Sequence, residues 1–404
     1  MNYAQTKSGR FVVVLGLLTG LVAFAIDISL PAIPPMVRDL ATSMSTGQQV
    51  VGLFMAGMAS GQLPFGLVSD RVGRLPVLYA GIGLFTLAGA VTSFSSDIGI
   101  LLIARFVQGF GSSAGMVLAR AIVRDVSSGA ESARLMSIMV MIFTAAPMLA
   151  PMFGSLLVSL WGWRMPFAAT AAAGMMILYG IRTSLRETHA PQKKQHVLLQ
   201  LRNSLKEFVS HRQSIFGTLI IMVTITGIMA LISGAAAMVV ELYDYPVKYF
   251  GFIFALTGVA ILTGSMINRR LLARLDAMQM IGIGATIASV AGIQLLLMAW
   301  LGEAHFWWIW GNACLFMCAT AFLLPNATAL ALDPVPEIAG VAASIMGTIQ
   351  SLSGAASAVI SSALYTGTIM NVTLVVGSSG VASLVVFLLR KQILAGTSLY
   401  GHEV

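Results

Sequence analysis

Gly66-Leu67-Val68-Ser69-Asp70-Arg71-Val72-Gly73-Arg74 sets one carboxylate and two guanidinium groups within five residues, between two long apolar runs. Such a stretch reads as a charged hinge between two membrane helices. Gly66 and Gly73 let the backbone turn tightly and approach a neighbour, and Asp70 can cap the N-terminus of another helix. Arg71 and Arg74 hold the turn on the cytoplasmic side. An ordinary basic turn explains the arginines but not Gly66, Asp70 and Gly73 together.

The rest of the chain agrees with a membrane reading. Of 404 residues, 57% are hydrophobic and 9% charged, and the mean hydropathy is +0.89. A soluble protein carries about 25% charged residues. A spanning helix needs about 20 apolar residues. Twelve runs qualify, near 11–33, 48–68, 75–95, 98–119, 135–160, 164–182, 214–240, 249–268, 277–300, 306–331, 339–364 and 372–389. The first has no A-x-A cleavage site and eleven more follow it, so it is expected to stay as a span rather than be removed as a leader. With both termini placed inside, all 23 Lys and Arg except Arg38, Arg105, Arg164 and Lys248 fall on the cytoplasmic side. The positive-inside rule therefore accounts for the net charge of +8, and no nucleic-acid partner is needed.

Two ionisable residues stand inside spans. Asp27 lies in Ile26-Asp27-Ile28-Ser29-Leu30-Pro31-Ala32-Ile33-Pro34, about 24 Å along the first helix at 1.5 Å per residue, in the outer half of the membrane. Arg105 opens Arg105-Phe106-Val107-Gln108-Gly109-Phe110-Gly111 in the fourth span. Charge is expensive at such depth and marks a functional site by default. Arg105 is expected to face a water-filled cavity, with Gly109 and Gly111 admitting close helix contact. Cys314 and Cys318 are one turn apart in a span; a helix holds such a pair awkwardly for a disulfide, and further metal ligands are missing, so packing is the reading and no metal is expected. The five histidines, at 189, 196, 211, 305 and 402, form no constellation for catalysis, and there is no Walker motif for ATP.

In the fifth span Pro147 and Pro151 are four residues apart and Gly154 follows. Each proline removes a backbone hydrogen bond, so a bend is expected at mid-helix. Residues 183–212 form the one long interior connection. Within it Leu198, Leu201, Leu205, Phe208 and Val209 recur at helical spacing, which suggests an amphipathic helix on the cytoplasmic face. The connection divides the chain into 1–182 and 213–404, six spans each. Gly264-Ser265-Met266-Ile267-Asn268-Arg269-Arg270 repeats the spacing of Gly66 to Arg71 after the eighth span, with Asn268 in place of Asp70. This is an internal duplication.

Together these features resemble the Bcr/CflA drug exporters of the major facilitator superfamily. The carriers of the resemblance are the 66–74 stretch, with Leu75 where a further arginine is usual, and R-x-x-Q-G-x-G at 105–111. The fifth-helix prolines, Trp163-Arg164-Met165-Pro166-Phe167, Leu185-Arg186-Glu187-Thr188 and Ala339-Gly340-Val341-Ala342-Ala343-Ser344 also fit. Ser155 replaces a usual second glycine, Ser29 a usual tyrosine, and Ala235 to Ala237 a usual proline. The resemblance implies an all-α fold of twelve transmembrane helices, in two pseudo-symmetric halves around a central cavity, in the bacterial inner membrane. It implies proton-coupled efflux of small neutral or zwitterionic compounds such as phenicols or bicyclomycin-like drugs, with no cofactor beyond the proton gradient, and a monomer as the default. In this picture Asp27 carries the proton, since burial favours the neutral form of a carboxyl and water entry the ionised form; Arg105 sets its affinity and contacts substrate, and Gln108 adds a hydrogen bond. Gly66, Asp70, Arg71, Gly73, Arg74 and Asp125 form the gate, with Asp70 meeting the N-terminus of the eleventh span and Arg71 or Arg74 pairing with Asp125. An importer of a small metabolite is the alternative, and a polytopic membrane enzyme a more distant one.

Overall fold

A computed structural model describes residues 9–188, 197–301 and 305–395. The histidines at 189, 196 and 402, part of the connection and both chain ends lie outside them. The described residues are helical and contain no strand. In a bilayer every backbone polar group must be satisfied internally, and a helix does this within one segment.

Helix α1 spans Gly9–Asp27 and is followed by a 3-10 turn, Leu30–Ala32, and the short α2, Ile33–Asp39. Then come α3 (Met44–Val72), α4 (Arg74–Phe94), α5 (Ile98–Val126), α6 (Gly129–Trp161) and α7 (Arg164–Ser184). After the connector helix α8 (Val197–Ser210) follow α9 (Arg212–Ala236), α10 (Val247–Leu271), α11 (Ala277–Leu301), α12 (Phe306–Leu332), α13 (Ala339–Ala363), α14 (Met370–Leu388) and the short α15 (Arg390–Ile393). Among the described residues eleven segments are long and apolar enough to cross a membrane, α1 and α2 counting as one. The other long helix is α7, expected as the sixth span; Arg164 opens it and Arg182 stands in its last turn, so its uncharged run is short.

The helices outrun the apolar runs. Helix α3 has 29 residues and α6 has 33, so their charged ends continue as helix past the hydrocarbon. The 66–74 stretch, expected as a loop, is helical through Val72, and Gly73 is its one non-helical residue. Side chains fix the helix starts: the Ser43 hydroxyl accepts from Thr46 N–H at 3.1 Å, and Asp97 accepts from Ile100 N–H at 2.8 Å.

The chain forms two compact units, Met1–Gln195 with Val239–Ala255, and His196–Met238 with Leu256–Val404. In the first unit α3 and α5 pack backbone against backbone. A Cβ on Gly57 would stand 1.9 Å from the Phe106 carbonyl oxygen, and one on Gly109 1.9 Å from that of Phe54. Residues 239–255 join this unit through Gly251, whose N–H donates to the Ser155 hydroxyl at 2.8 Å, and through the Arg38–Glu241 ion pair, also 2.8 Å. Ser155, where a glycine was usual, thus ties α6 to the start of α10. Helix α9 passes into a π-helical turn, Ala237–Leu242, so the distortion occurs without the proline usual there.

In the second unit the repeat of the 66–74 stretch lies within α10. Asn268 accepts on Oδ1 from Asn326 Nδ2 of α12 at 2.9 Å, and both residues are buried. In the connector helix Phe208 and Ser204 are buried, whereas Leu205 and Val209 are exposed. The apolar residues therefore divide between two faces. The side chains of Leu198 and Leu201 lie outside the described set.

Candidate functional site

The site grows from the end of α1. The helix stops at Asp27, and the chain makes a turn and a 3-10 turn before α2 resumes. Pro31 and Pro34 favour this break because neither can donate a backbone hydrogen bond. An early helix end usually means a wet residue, yet Asp27 is 2% exposed. Part of the seal comes from α6. A Cβ on Gly154 would stand 2.3 Å from the Ile28 carbonyl oxygen and 2.9 Å from Pro31, so only glycine lets α6 lie against this turn. Pro147 and Pro151 stand earlier in α6, which runs through both as one helix. Among the described residues no hydrogen bond or ion pair reaches the Asp27 carboxyl.

Arg105 is wholly enclosed. Its Nη1 donates to Gln108 Oε1 at 2.7 Å, its Nη2 to the Ala25 carbonyl at 3.3 Å and the Ser29 hydroxyl at 3.4 Å, and its Nε to the Val50 carbonyl at 3.4 Å. The Phe54 and Phe167 rings flank the guanidinium at 4.6 and 5.6 Å. Carbonyl, amide and hydroxyl dipoles and two aromatic faces thus hold the cation, and it joins no ion pair among the described residues. Isolated burial of charge is costly, and this cage offsets the cost with neutral acceptors from α1, α3 and α5.

Gln108 is held at both ends, since its Nε2 donates to Thr170 Oγ1 of α7 at 2.8 Å. Thr170 and Ser29, both buried, complete the node. The sequence singled out Ser29 only as a replaced tyrosine and gave no sign of Thr170, which lies in a plain alanine-rich run. Arg105 and Gln108 are brought together; Asp27 and Arg105 share the region but not a bond.

A second cluster lies where α3 ends, α4 begins and α5 ends. Arg74 donates from Nε to Asp125 Oδ2 at 2.9 Å, and from Nη1 to Ser69 Oγ at 2.7 Å and to Asp70 Oδ1. Arg71 is exposed and has no ion pair among the described residues. Gly66 lies inside α3, where an added Cβ would meet Val117 at an ordinary 3.6 Å. Gly73 has a φ of +105°. Cys314 and Cys318 are unbonded. Among the described residues no group of three or more His, Cys, Asp or Glu could hold a metal ion.

The Major Facilitator Superfamily model matches residues 15–358. The chain is 27% identical over 354 residues to the bicyclomycin resistance protein homolog of Haemophilus influenzae, covering 87% of this chain and 88% of that protein. It is 30% identical over 374 residues to the uncharacterized MFS-type transporter YdgK of Bacillus subtilis, covering 90% and 92%. Multidrug resistance protein D of Escherichia coli is 27% identical over 360 residues, covering 89% and 90%. Among solved structures, a D-xylose-proton symporter superposes with a TM-score of 0.74 at 16% identity, covering 94% and 97%. A POT family transporter in complex with a thioalcohol-conjugated peptide gives 0.76 at 12%, covering 95% and 96%. At such identities these two likenesses speak for the fold alone.

Proposed function

The chain belongs to the Major Facilitator Superfamily, and from this membership and the enclosed Asp27–Arg105 region we infer that it exports small neutral or zwitterionic compounds in exchange for protons. It is a multi-pass membrane transporter and not an enzyme. Its relatives carry the names bicyclomycin resistance and multidrug resistance, which supports drug efflux; bicyclomycin-like compounds and phenicols are the cargo we propose. The location is the bacterial inner membrane, with both termini cytoplasmic and the monomer as working unit. Two halves, 1–182 and 213–404, joined by the 183–212 connector, would expose the site to each face of the membrane in turn.

The observation that carries this reading is the carboxyl of Asp27, enclosed yet with no donor among the described residues. A proton bound or lost there changes the local charge by a full unit in a medium that screens it weakly. Asp27 is the proton-coupling group. Arg105, satisfied by neutral acceptors, keeps a positive potential beside it, contacts substrate and sets its proton affinity, with Gln108 adding a hydrogen bond. A region whose anion is neutralised by every proton cycle suits neutral and zwitterionic cargo better than strongly cationic cargo. Gly66, Asp70, Arg71, Gly73, Arg74 and Asp125 serve the cytoplasmic gate, and Pro147, Pro151 and Gly154 shape α6 where it meets the Asp27 turn.

The test is dye-reported proton release from energised inverted vesicles, comparing the native chain with Asp27→Asn against phenicols, bicyclomycin-like compounds and small metabolites. A substrate-triggered signal that vanishes in Asp27→Asn supports proton antiport. Proton movement in the opposite sense would make the protein an importer, and a mutant that still transports uphill on the gradient would remove Asp27 from the mechanism.

A further inference from the structure

Every helix begins with four N–H groups that have no acceptor within it. At α4 all four are accounted for. Gly73 N–H closes the end of α3 by donating to the Ser69 carbonyl at 3.0 Å, and Pro76 has no N–H. The two between them, Arg74 N–H and Leu75 N–H, donate to the two oxygens of one carboxylate, Glu187, at 2.8 and 2.9 Å.

The residue before a helix normally supplies such a cap from its own side chain. Here that residue is Gly73, which has none, and its φ of +105° disfavours any other residue. A Cβ there would also stand 2.8 Å from Glu187 Oε2. The cap therefore comes from 113 positions away, in the segment that leaves α7 for the connector. A carboxylate at the positive end of a helix gains from the dipole as well as from the two bonds. The next residue is bound too: Thr188 Oγ1 donates to Asp125 Oδ2 at 3.1 Å, the oxygen that also accepts from Arg74 Nε. Two consecutive residues are thus fixed, one to the start of α4 and one to the end of α5.

We infer that Glu187 is a positioning residue that fastens the start of the connector to the α3–α4 turn, so that the connector and the Asp70–Arg74–Asp125 cluster lock and release as one unit during transport. This rests on the transporter assignment, and it gives a task to residues that the gate reading leaves idle. Glu187 is itself exposed, so water can take over its oxygens when the fastening opens. A cap of this kind holds its closed form by a factor on the order of ten.

The test uses the full chain in lipid nanodiscs with Cys314→Ala and Cys318→Ala, and a nitroxide label on Arg186→Cys, an exposed position beside the cap. The ratio of mobile to immobile label in the EPR spectrum reads the fastening directly and requires no transport, so it stays readable even if efflux or proton coupling is disproved. Glu187→Ala should raise the ratio about tenfold and Glu187→Gln, which keeps the shape but loses the charge, by less. Asp125→Asn should raise it as well, and the double variant no further than the larger single effect. An unchanged spectrum in both Glu187 variants overturns the fastening, and a double variant equal to the product of the two single effects overturns the common release.

Discussion

Arg105 donates to Ala25 and to Ser29, the residues two positions before and two after Asp27, yet bonds nothing of Asp27 itself. Ala25 offers its backbone carbonyl about half a turn before Asp27 on α1, and Ser29 offers its hydroxyl from the turn that follows the helix. The guanidinium is thus anchored to the segment that carries the carboxyl without neutralising it. The guanidinium and the carboxyl share one enclosed region without bonding each other, as the proposed division of roles, substrate for Arg105 and proton for Asp27, requires.

Asp27→Asn keeps the shape and removes the titrating proton. Substrate exchange down its own gradient should persist within about threefold of the native rate, while uphill transport and its dependence on pH disappear. Counterflow and gradient-driven uptake in the same inverted vesicles separate the two.

Arg105→Lys keeps the charge but replaces a planar fork of donors with a single ammonium. It cannot serve Gln108, Ser29 and two carbonyls at once, so buried acceptors lose their donor at about 1–3 kcal/mol each. The expected result is a folded protein whose apparent substrate affinity falls at least about tenfold. Gln108→Ala should give a similar loss, because it leaves Arg105 Nη1 without its acceptor and Thr170 Oγ1 without its donor. Ligand-dependent thermal shifts measure this without a transport assay.

Arg71 and Arg74 are two of the three charges in the 70–74 stretch, and the structure separates them. Arg71→Ala, at an exposed position, should change stability by less than about 0.5 kcal/mol. Arg74→Ala leaves the half-buried Asp125 without its cation and should cost about 2–4 kcal/mol. Its loss should also shift cysteine cross-links on the cytoplasmic side toward the inward-open pattern, as should Asp70→Asn. Cross-links unchanged in both variants would remove the cluster from gating.

Gly154→Ala should be far more damaging than Gly66→Ala. The added carbon at 154 meets backbone, the Ile28 oxygen, which cannot turn aside as a side chain would. Overpacking of this kind costs about 1–3 kcal/mol, and it pushes α6 away from the turn that encloses Asp27, so transport should fail together with stability. At 66 the methyl has room and should stay within about 0.5 kcal/mol of native. Thermal unfolding in detergent with a parallel efflux assay compares the pair.

Most of the architecture was legible because lipid imposes a single rule on each span, and Asp27 and Arg105 stood out because charge in an apolar run is costly, although a wet helix end for Asp27 and snorkelling for Arg105 are the bland readings. Gln108 was legible through its spacing from Arg105 on one helix. Thr170 was not, since it becomes meaningful only when α7 folds against α5, and a threonine among alanines carries no sign of a distant partner. Glu187 was seen as part of a resembling segment, but its task depends on a glycine with a positive φ 114 positions earlier. The 66–74 stretch was read as a loop because charge and glycine usually mark one, whereas Ser69 and its neighbours carry α3 on to Val72 and only Gly73 interrupts it.

The duplicated motif ends in two different chemistries. Asp70, Arg74 and Asp125 interact as ions, while Asn268 and Asn326 interact as neutral amides. Raised ionic strength weakens the first kind and scarcely touches the second. The two copies of the repeat have therefore parted in what can disturb them: the ionic copy answers to salt, and the amide copy is deaf to it.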